Sequence, residues 1–460
     1  MKYFLLLLLC CGLFTLALPL NAQDIQPAEV LNSRLNDYLS YLSSTRNFSG
    51  EILVAQGDEI LFQNVIGLSS RELGVDIQKN DRYKIASISK SYCAALILKA
   101  QEEERIEVSN TLGYYLDDIT GELQEVNIHE LLSHTSGLPH NEGIADYWRV
   151  KSKLAFSKAQ IITELNSVSL LSDAGSQYHY SSLNYLLLSL ILEEVYGKPY
   201  EEILREKILN PLALTATASN NGMAVIPHMT NGYHLLNDSV VQAPYRNYSL
   251  LQGAGDLYSN ATDLWRWDRL LWEGDFLSAA SRNAMFRTHQ STDKEADYGY
   301  AWYIADEGIY RFYHGGGTWG YSSLHVIYPE LNLYVLVLSN VASLPMDLIE
   351  VELQSLLLDQ TARFRMETVA HSELTAVELA LYEGRYLSDS GQMALSIKLS
   401  ENQLYAQLGP NPPFAIYPRG QQQFIGKKVN VSFTFELANE QVFGITAKRM
   451  GQTFHFKRQK

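Results

Sequence analysis

The sequence predicts an α/β fold of the α+β type. Its core is an antiparallel sheet made from both ends of one long domain, with a helical lobe inserted and a small all-β domain following. Three observations predict this. Residues 49–66 alternate apolar and polar as a hairpin does, and residues 299–340 return to that period after a helical middle. From about Ser372 onward the chain is again a series of short period-2 segments.

The elements follow in order. In the hairpin, Ile52 and Val54 alternate with their neighbours, Gln56-Gly57-Asp58 turns the chain, and Ile60 and Phe62 resume the alternation. Residues 87–104 read as a helix with an apolar face and a glutamate-rich end. A second helix runs from about Leu183 to Val195, apolar on most sides and so buried, and Gly197-Lys198-Pro199 stops it. Ser259-Asn260-Ala261-Thr262-Asp263 carries helix-capping residues ahead of the segment LWRWDRLLW. Tyr300, Trp302 and Ile304 alternate, as do Leu324, Val326 and Tyr328. The run LYVLVLSN is continuously apolar, as a central strand is. Helical spacing returns over 345–366. In the last part Leu395, Ile397 and Leu399 alternate, Glu401-Asn402-Gln403 turns, and Leu404, Ala406 and Leu408 alternate. Val429, Val431, Phe433 and Phe435 form a further strand.

The chain's 460 residues, 46% hydrophobic and 19% charged, suffice for at least one large core. Residues 1–22 read as a signal peptide: Lys2, an apolar stretch to Leu18, and Leu20-Asn21-Ala22 before Gln23. The expected mature chain is therefore periplasmic or extracellular in a bacterium, with one large domain over 23–368 and the β domain over 369–460. It has no stretch apolar enough to span a membrane. Cys10 and Cys11 leave with the signal, so Cys93 has no internal disulfide partner. Its apolar helical setting makes it a buried structural thiol. The net charge of −15 argues against nucleic acid or an anionic membrane as partner.

The chemistry centres on Ile85-Ala86-Ser87-Ile88-Ser89-Lys90-Ser91. With Ser87 at a helix start, Lys90 lies one turn on and on the same face. A serine hydroxyl is a weak nucleophile, and an amine kept neutral by burial or nearby positive charge can take its proton. By itself, S-x-x-K is common by chance.

Its surroundings are not. Tyr83-Lys84-Ile85-Ala86-Ser87-Ile88-Ser89-Lys90 resembles the nucleophile segment of the penicillin-recognising serine hydrolases, which include class C β-lactamases, D-Ala-D-Ala peptidases and related esterases. Asn47-Phe48-Ser49-Gly50 with Ile52-Leu53-Val54-Ala55 is similar to that family's opening strand. Leu131-Leu132-Ser133-His134-Thr135-Ser136-Gly137-Leu138-Pro139 resembles its most recognisable non-catalytic signature. Gly253-Ala254-Gly255-Asp256-Leu257-Tyr258-Ser259 resembles its glycine turn. These motifs occur in the family's order, and together they are far more specific than any one.

The resemblance implies a second element at Tyr180-Ser181-Ser182. Tyr180 would shuttle protons to the leaving group, its phenol pKa pulled down by cations such as Lys90. Ser182 stands where the family usually has asparagine. It is shorter and lacks an amide N–H, so it would bind a substrate amide differently or not at all. The third element falls at His314-Gly315-Gly316-Gly317 in place of Lys-Thr-Gly. Its glycines, Gly316 and Gly317 among them, would let a carbonyl approach the strand edge. The Gly317 N–H would join that of Ser87 as the oxyanion hole. His314 would offer a donor or a positive charge to a substrate carboxylate.

Other patterns fail on context. Gly315-x-Gly317-x-x-Gly320 spells a dinucleotide fingerprint, but a strand pattern follows it. His129 and His134 are five apart, on different helix faces, so no metal is implied there. No G-x-S-x-G occurs. The resemblance thus implies a secreted, cofactor-free serine hydrolase that acts through an acyl-enzyme on a small substrate, a D-amino-acid peptide, amide or ester. A class C-like β-lactamase is the alternative enzyme, and a catalytically inactive cell-wall-peptide binding protein is the alternative of another class.

Overall fold

Gly50–Gln56 (β1) and Glu59–Ile66 (β2) form the expected hairpin around a two-residue turn in which Gly57 has φ 53°. They pair with strands from the far end of the domain. Those strands are Gln290–Ser291 (β3), Asp297–Tyr298 (β4), Tyr303–Ala305 (β5), Arg311–Thr318 (β6), Tyr321–Tyr328 (β7) and Leu333–Ser339 (β8). The sheet order is β3-β4-β5-β6-β7-β8-β1-β2, and every neighbouring pair is antiparallel. β8, the continuously apolar run, sits between β7 and β1 and is buried along its whole length.

This computed structural model describes residues 28–358 and 374–459. Within those spans 221–223, 237–238, 293–295, 307–308, 389–392, 410–412, 421, 427–430, 439–440 and 450–451 are excepted. The signal peptide, the 368/369 domain junction, Val429 and the end of the 345–366 helix lie outside the described residues.

Period-2 alternation sends successive side chains of the central strands to two different cores. Ile52, Val54, Val335 and Val337 face one way, onto Ala28–Arg46 (α1) and Met346–Leu357 (α5). Leu53, Ala55, Leu336 and Leu338 face the other, onto the helical lobe. In the lobe, Ser89–Glu102 (α2) and Ser182–Tyr196 (α3) pack together, and Ala261–Trp272 (α4) covers the sheet. Helix α3 is buried from Ser182 to Leu192, and Gly197 ends it in the left-handed conformation at φ 65°. Asn260 caps α4 by accepting from the Asp263 N–H.

Three sequence expectations need amendment. The domain opens with α1, not with the hairpin. Leu31, Leu35, Tyr38 and Leu42 form its buried stripe, and Arg46 and Tyr38 both bond Glu352 of α5. The alternation of Tyr300, Trp302 and Ile304 is not one strand. Gly299 N–H bonds the Trp302 carbonyl in a turn, Ala301 has φ 67°, and the strand starts only at Tyr303. Ser87 lies in a 3₁₀ turn, Ala86–Ile88, ahead of α2 proper.

The C-terminal strands close on themselves as an eight-stranded barrel between Gly384 and Arg458. Its inward residues, among them Tyr386, Ile397, Leu404, Phe424, Phe435 and Phe456, make a core of their own. Glu401 and Asn402, at φ 48° and 63°, supply the tight turn read from the sequence.

Candidate active site

Ser87 is presented by a strained turn. Ala86, just before it, has φ 49°, a region a residue with a Cβ seldom occupies. With three residues per turn, a 3₁₀ turn eclipses positions i and i+3. Lys90 Nζ accordingly lies 3.2 Å from Ser87 Oγ.

Lys90 is fully buried. It donates to the Ala254 carbonyl at 2.7 Å and to Ser182 Oγ at 3.3 Å, and no carboxylate touches it among the described residues. Burial disfavours the ammonium and lowers its pKa from 10.5 to about 7; Cys93 and Asp256 oppose this weakly. Ala254 belongs to the glycine turn. A Cβ on Gly253 (φ 69°) would press on Ser189 Cβ and the Tyr185 carbonyl, so only glycine lets this turn close over α3 and α2. Cys93 is buried in the same layer, its thiol pKa pushed up by desolvation.

Tyr180 donates its hydroxyl to Ser87 Oγ at 2.8 Å. Its pKa is raised, first by burial and then by Tyr303, while the Ser87 hydrogen bond pulls only weakly the other way. The expectation of a phenol acidified by Lys90 is therefore corrected. Lys90 Nζ sits 5.0 Å from the ring centroid and has lost most of its own preference for charge. Tyr180 rests as a neutral donor.

Ser182 opens helix α3, and its hydroxyl lies between Lys90 Nζ and His140 Nε2, 3.4 Å away. His140 Nδ1 accepts the Asn141 N–H at 2.6 Å, which assigns the ring proton to Nε2 and points it at Ser182. Burial first, then the charges of Lys90 and Arg246, bring the His140 pKa down to about 4. His140 also stacks on Tyr180 with centroids 5.7 Å apart. His134 also packs on that ring, with centroids 4.4 Å apart, its Nδ1 accepting from Ser181 N–H and Asn184 Nδ2. Neither histidine nor the Ala254 carbonyl was singled out from the sequence as part of the site. His140 directly follows the signature ending at Pro139, which was the one available signal.

Strand β6 forms the remaining wall. Beyond Tyr313 it has no strand on its β5 side among the described residues, so His314 to Thr318 form an edge. Gly316 is buried. A Cβ there would overlap the Ile85 carbonyl oxygen and Ser323 Oγ, and Ser323 Oγ itself bonds that carbonyl at 2.8 Å. Gly316 thus lets the nucleophile turn dock on the sheet. Gly317 is exposed, with no atom within 4 Å of a Cβ position. His314 is buried. Nδ1 bonds the Gly315 carbonyl at 2.6 Å and Nε2 bonds Tyr298 OH at 3.2 Å. Both ring nitrogens are thus committed inside the protein, contrary to the expected carboxylate contact.

A family model described as Beta-lactamase matches residues 41–358. The chain belongs to the β-lactamase family. It is 25% identical over 425 residues to penicillin-binding protein 4* of Bacillus subtilis, covering 87% of this chain and 92% of that one. It is 23% identical over 325 residues to a teichoic acid D-alanine hydrolase of Staphylococcus aureus, covering 68% of this chain and 79% of the relative. An octameric penicillin-binding protein homologue from Pyrococcus abyssi shares the fold with a TM-score of 0.64 at 20% identity, over 92% of this chain and 99% of that one. The protein is a hydrolase of the β-lactamase and penicillin-binding-protein family.

Proposed function

We propose that this family member hydrolyses esters or amides of D-amino acids through an acyl-enzyme on Ser87, outside the cytoplasm once residues 1–22 are removed. The observation that carries the reading is Ser87 Oγ held between the Lys90 amine at 3.2 Å and the Tyr180 hydroxyl at 2.8 Å. The lysine pKa of about 7 leaves much of the amine neutral at ordinary pH. The similarity to a D-alanine hydrolase supports the substrate class.

Neutral Lys90 takes the hydroxyl proton as Ser87 Oγ bonds the substrate carbonyl carbon. The carbonyl oxygen becomes an oxyanion at the open edge by Gly317, where backbone N–H groups of Gly317 and Ser87 are the donors in this reading. The bond from carbonyl carbon to the leaving nitrogen or oxygen then breaks. Tyr180 gives that atom its proton, and the proton on Lys90 restores the phenol. A water molecule attacks the acyl-serine with Lys90 again as base, releasing the acid and Ser87. Ser182, in place of an asparagine, meets Lys90 and His140 instead of reaching into the cleft. This favours esters over amides and β-lactams.

Mass spectrometry after treatment with a fluorophosphonate, and separately with a β-lactam, tests the nucleophile. The expected result is one adduct, on Ser87, absent in Ser87→Ala. Labelling elsewhere, or an unlabelled native protein, overturns the reading. N-terminal sequencing of the protein exported by a bacterial host should begin at Gln23.

A further inference from the structure

The hydrogens around the Ser182 hydroxyl can be counted. As an ammonium, Lys90 gives one N–H to each of three oxygens: the Ala254 carbonyl at 2.7 Å, Ser87 Oγ at 3.2 Å and Ser182 Oγ at 3.3 Å. As a free amine it has two N–H groups and one lone pair for the same three neighbours. The Ala254 carbonyl can only accept, so it takes one N–H. The other N–H and the lone pair are divided between the two serines. Base catalysis needs the lone pair on the Ser87 side, and Ser182 must then accept from Lys90.

His140 bears on whether Ser182 can do so. Its Nδ1 accepts the Asn141 N–H at 2.6 Å, so the ring proton sits on Nε2, 3.4 Å from Ser182 Oγ. The Glu142 carboxylate, 3.9 Å from Nδ1, is exposed and beyond hydrogen-bond distance. Nε2 therefore donates to Ser182 and cannot receive its proton. Ser182 is only 4% exposed, and its hydroxyl meets Lys90 and His140 alone among the described residues. The one acceptor left for its proton is the Lys90 lone pair, and a buried hydroxyl hydrogen without an acceptor is costly. Ser87 is under no such constraint. Its Oγ can accept from Lys90 and Tyr180 together, and it is only half-buried, so its own proton has solvent to turn to.

We propose that His140 is a positioning residue acting through Ser182: held as the Nε2–H tautomer by the Asn141 amide, it leaves Ser182 to donate to the neutral lysine, and so latches the Lys90 lone pair away from Ser87. Opening the latch takes a turn about the Lys90 Cε–Nζ bond. That turn exchanges the lone pair and an N–H between the two serines and leaves the Ser182 proton unpaired; no covalent bond changes. Ser87 then gives its proton to Lys90 as in the acyl-enzyme reading, on which this inference rests. The same lysine is the base for deacylation, so the latch slows both steps. A side-chain amide oxygen at position 182 could only accept from Lys90, and an asparagine there would hold the lone pair on the Ser87 side. The latch is thus a consequence of serine at this position beside His140.

The test is the rate at which a fluorophosphonate labels Ser87, measured well above the Lys90 midpoint of about 7 so that the amine is neutral throughout. Ser182→Ala removes the donor and should raise the maximal rate about three- to tenfold, the worth of one hydrogen bond. His140→Gln offers Ser182 an amide oxygen as acceptor and should give a similar gain. His140→Phe keeps an aromatic ring against Tyr180 but offers no acceptor, and should leave the rate unchanged. The gains should fall in the maximal rate and not in the half-saturating concentration. A residue that merely packs would give losses, so both gains are required. A rate that is equal or lower in Ser182→Ala or in His140→Gln, or a gain in His140→Phe as large as that in His140→Gln, overturns the latch. Where a variant fails to melt cooperatively, ring ¹⁵N NMR of the native protein decides. A proton on His140 Nε2 supports the latch, and a proton on Nδ1, which would make Nε2 the acceptor for Ser182, overturns it. If Ser87 takes no label in the native protein or in any variant, the acyl-enzyme reading is what fails; labelling without the gains defeats the latch alone.

Discussion

Lys90 can act as a base only while unprotonated, and two neighbouring groups, His140 and Tyr180, have titrations that could be mistaken for it. Its own pKa, lowered by burial to about 7, predicts that acylation rises with pH to a midpoint near 7 and then levels off. His140, at about 4, is neutral throughout that range, and Tyr180, raised above the ordinary phenol value, stays protonated. A single ascending limb in the pre-steady-state acylation rate is therefore expected. Lys90→Arg, permanently charged, should not acylate at any pH in that range. A midpoint near 10, or an active arginine variant, would remove the lysine from the role of base. Ser182 supplies the second expectation at this scale. Its hydroxyl is spent on Lys90 and His140, whereas the longer amide of Ser182→Asn can extend past them toward a bound acyl group. The ratio of amide to ester turnover should rise roughly three- to tenfold, the value of one hydrogen bond of about 0.5–1.5 kcal/mol. An unchanged ratio would mean that this position does not meet the substrate.

The elements explain what could be read in advance and what could not. The spacing from Ser87 to Lys90 was legible because it is local, and a 3₁₀ turn brings the two side chains into line more directly than the expected α-helix does. The hairpin, helix α3 and strand β8 were legible because hydrophobic period alone fixes them. Helix α1 was missed because its apolar stripe is diluted by serine and asparagine and makes sense only against a sheet that comes later in the chain. The acidity of Tyr180 was misread because it depends first on burial and then on Tyr303, a residue of a distant element, neither of which a local pattern announces. The glycine run shows the same limit, since the two glycines looked alike in sequence and do different work. At Gly316 a methyl group meets the Ile85 carbonyl and Ser323, so Gly316→Ala should cost about 1–3 kcal/mol of stability and displace the nucleophile turn. At Gly317 the same methyl meets nothing, and Gly317→Ala should leave stability within about 0.5 kcal/mol while hindering substrate at the edge. Thermal melts beside kcat/KM for the two variants check this; similar melting losses for both would contradict the separation.

At the scale of the whole molecule, the chain is divided by its cores. Every residue of the two cores that flank the large sheet lies at or before Leu358, and every residue of the barrel core lies at or after Leu379. Among the described residues the site draws on the first group: Ser87, Lys90, His140, Tyr180, Ser182, Ala254, and the β6 edge through Thr318. The family match, 41–358, covers the same stretch. The barrel closes its own sheet and so has no free edge to complete by pairing with another element. A part with its own core and all its sheet partners should fold alone. A chain ending at Leu358 should therefore melt cooperatively, take the fluorophosphonate adduct on Ser87, and hydrolyse small activated esters within about threefold of the full protein. Because α5 ends at Leu357 and packs on α1 and the sheet, a cut before Met346 should instead expose Val335, Val337 and Leu353-facing surface and abolish folding. The pair of truncations, compared by circular dichroism and adduct mass, separates the two outcomes. If the chain ending at Leu358 loses its melting transition, the barrel is a structural part of the hydrolase domain. If it melts normally but hydrolyses small esters far more slowly, the barrel contributes to catalysis on every substrate, and the site is not complete in residues 28–358.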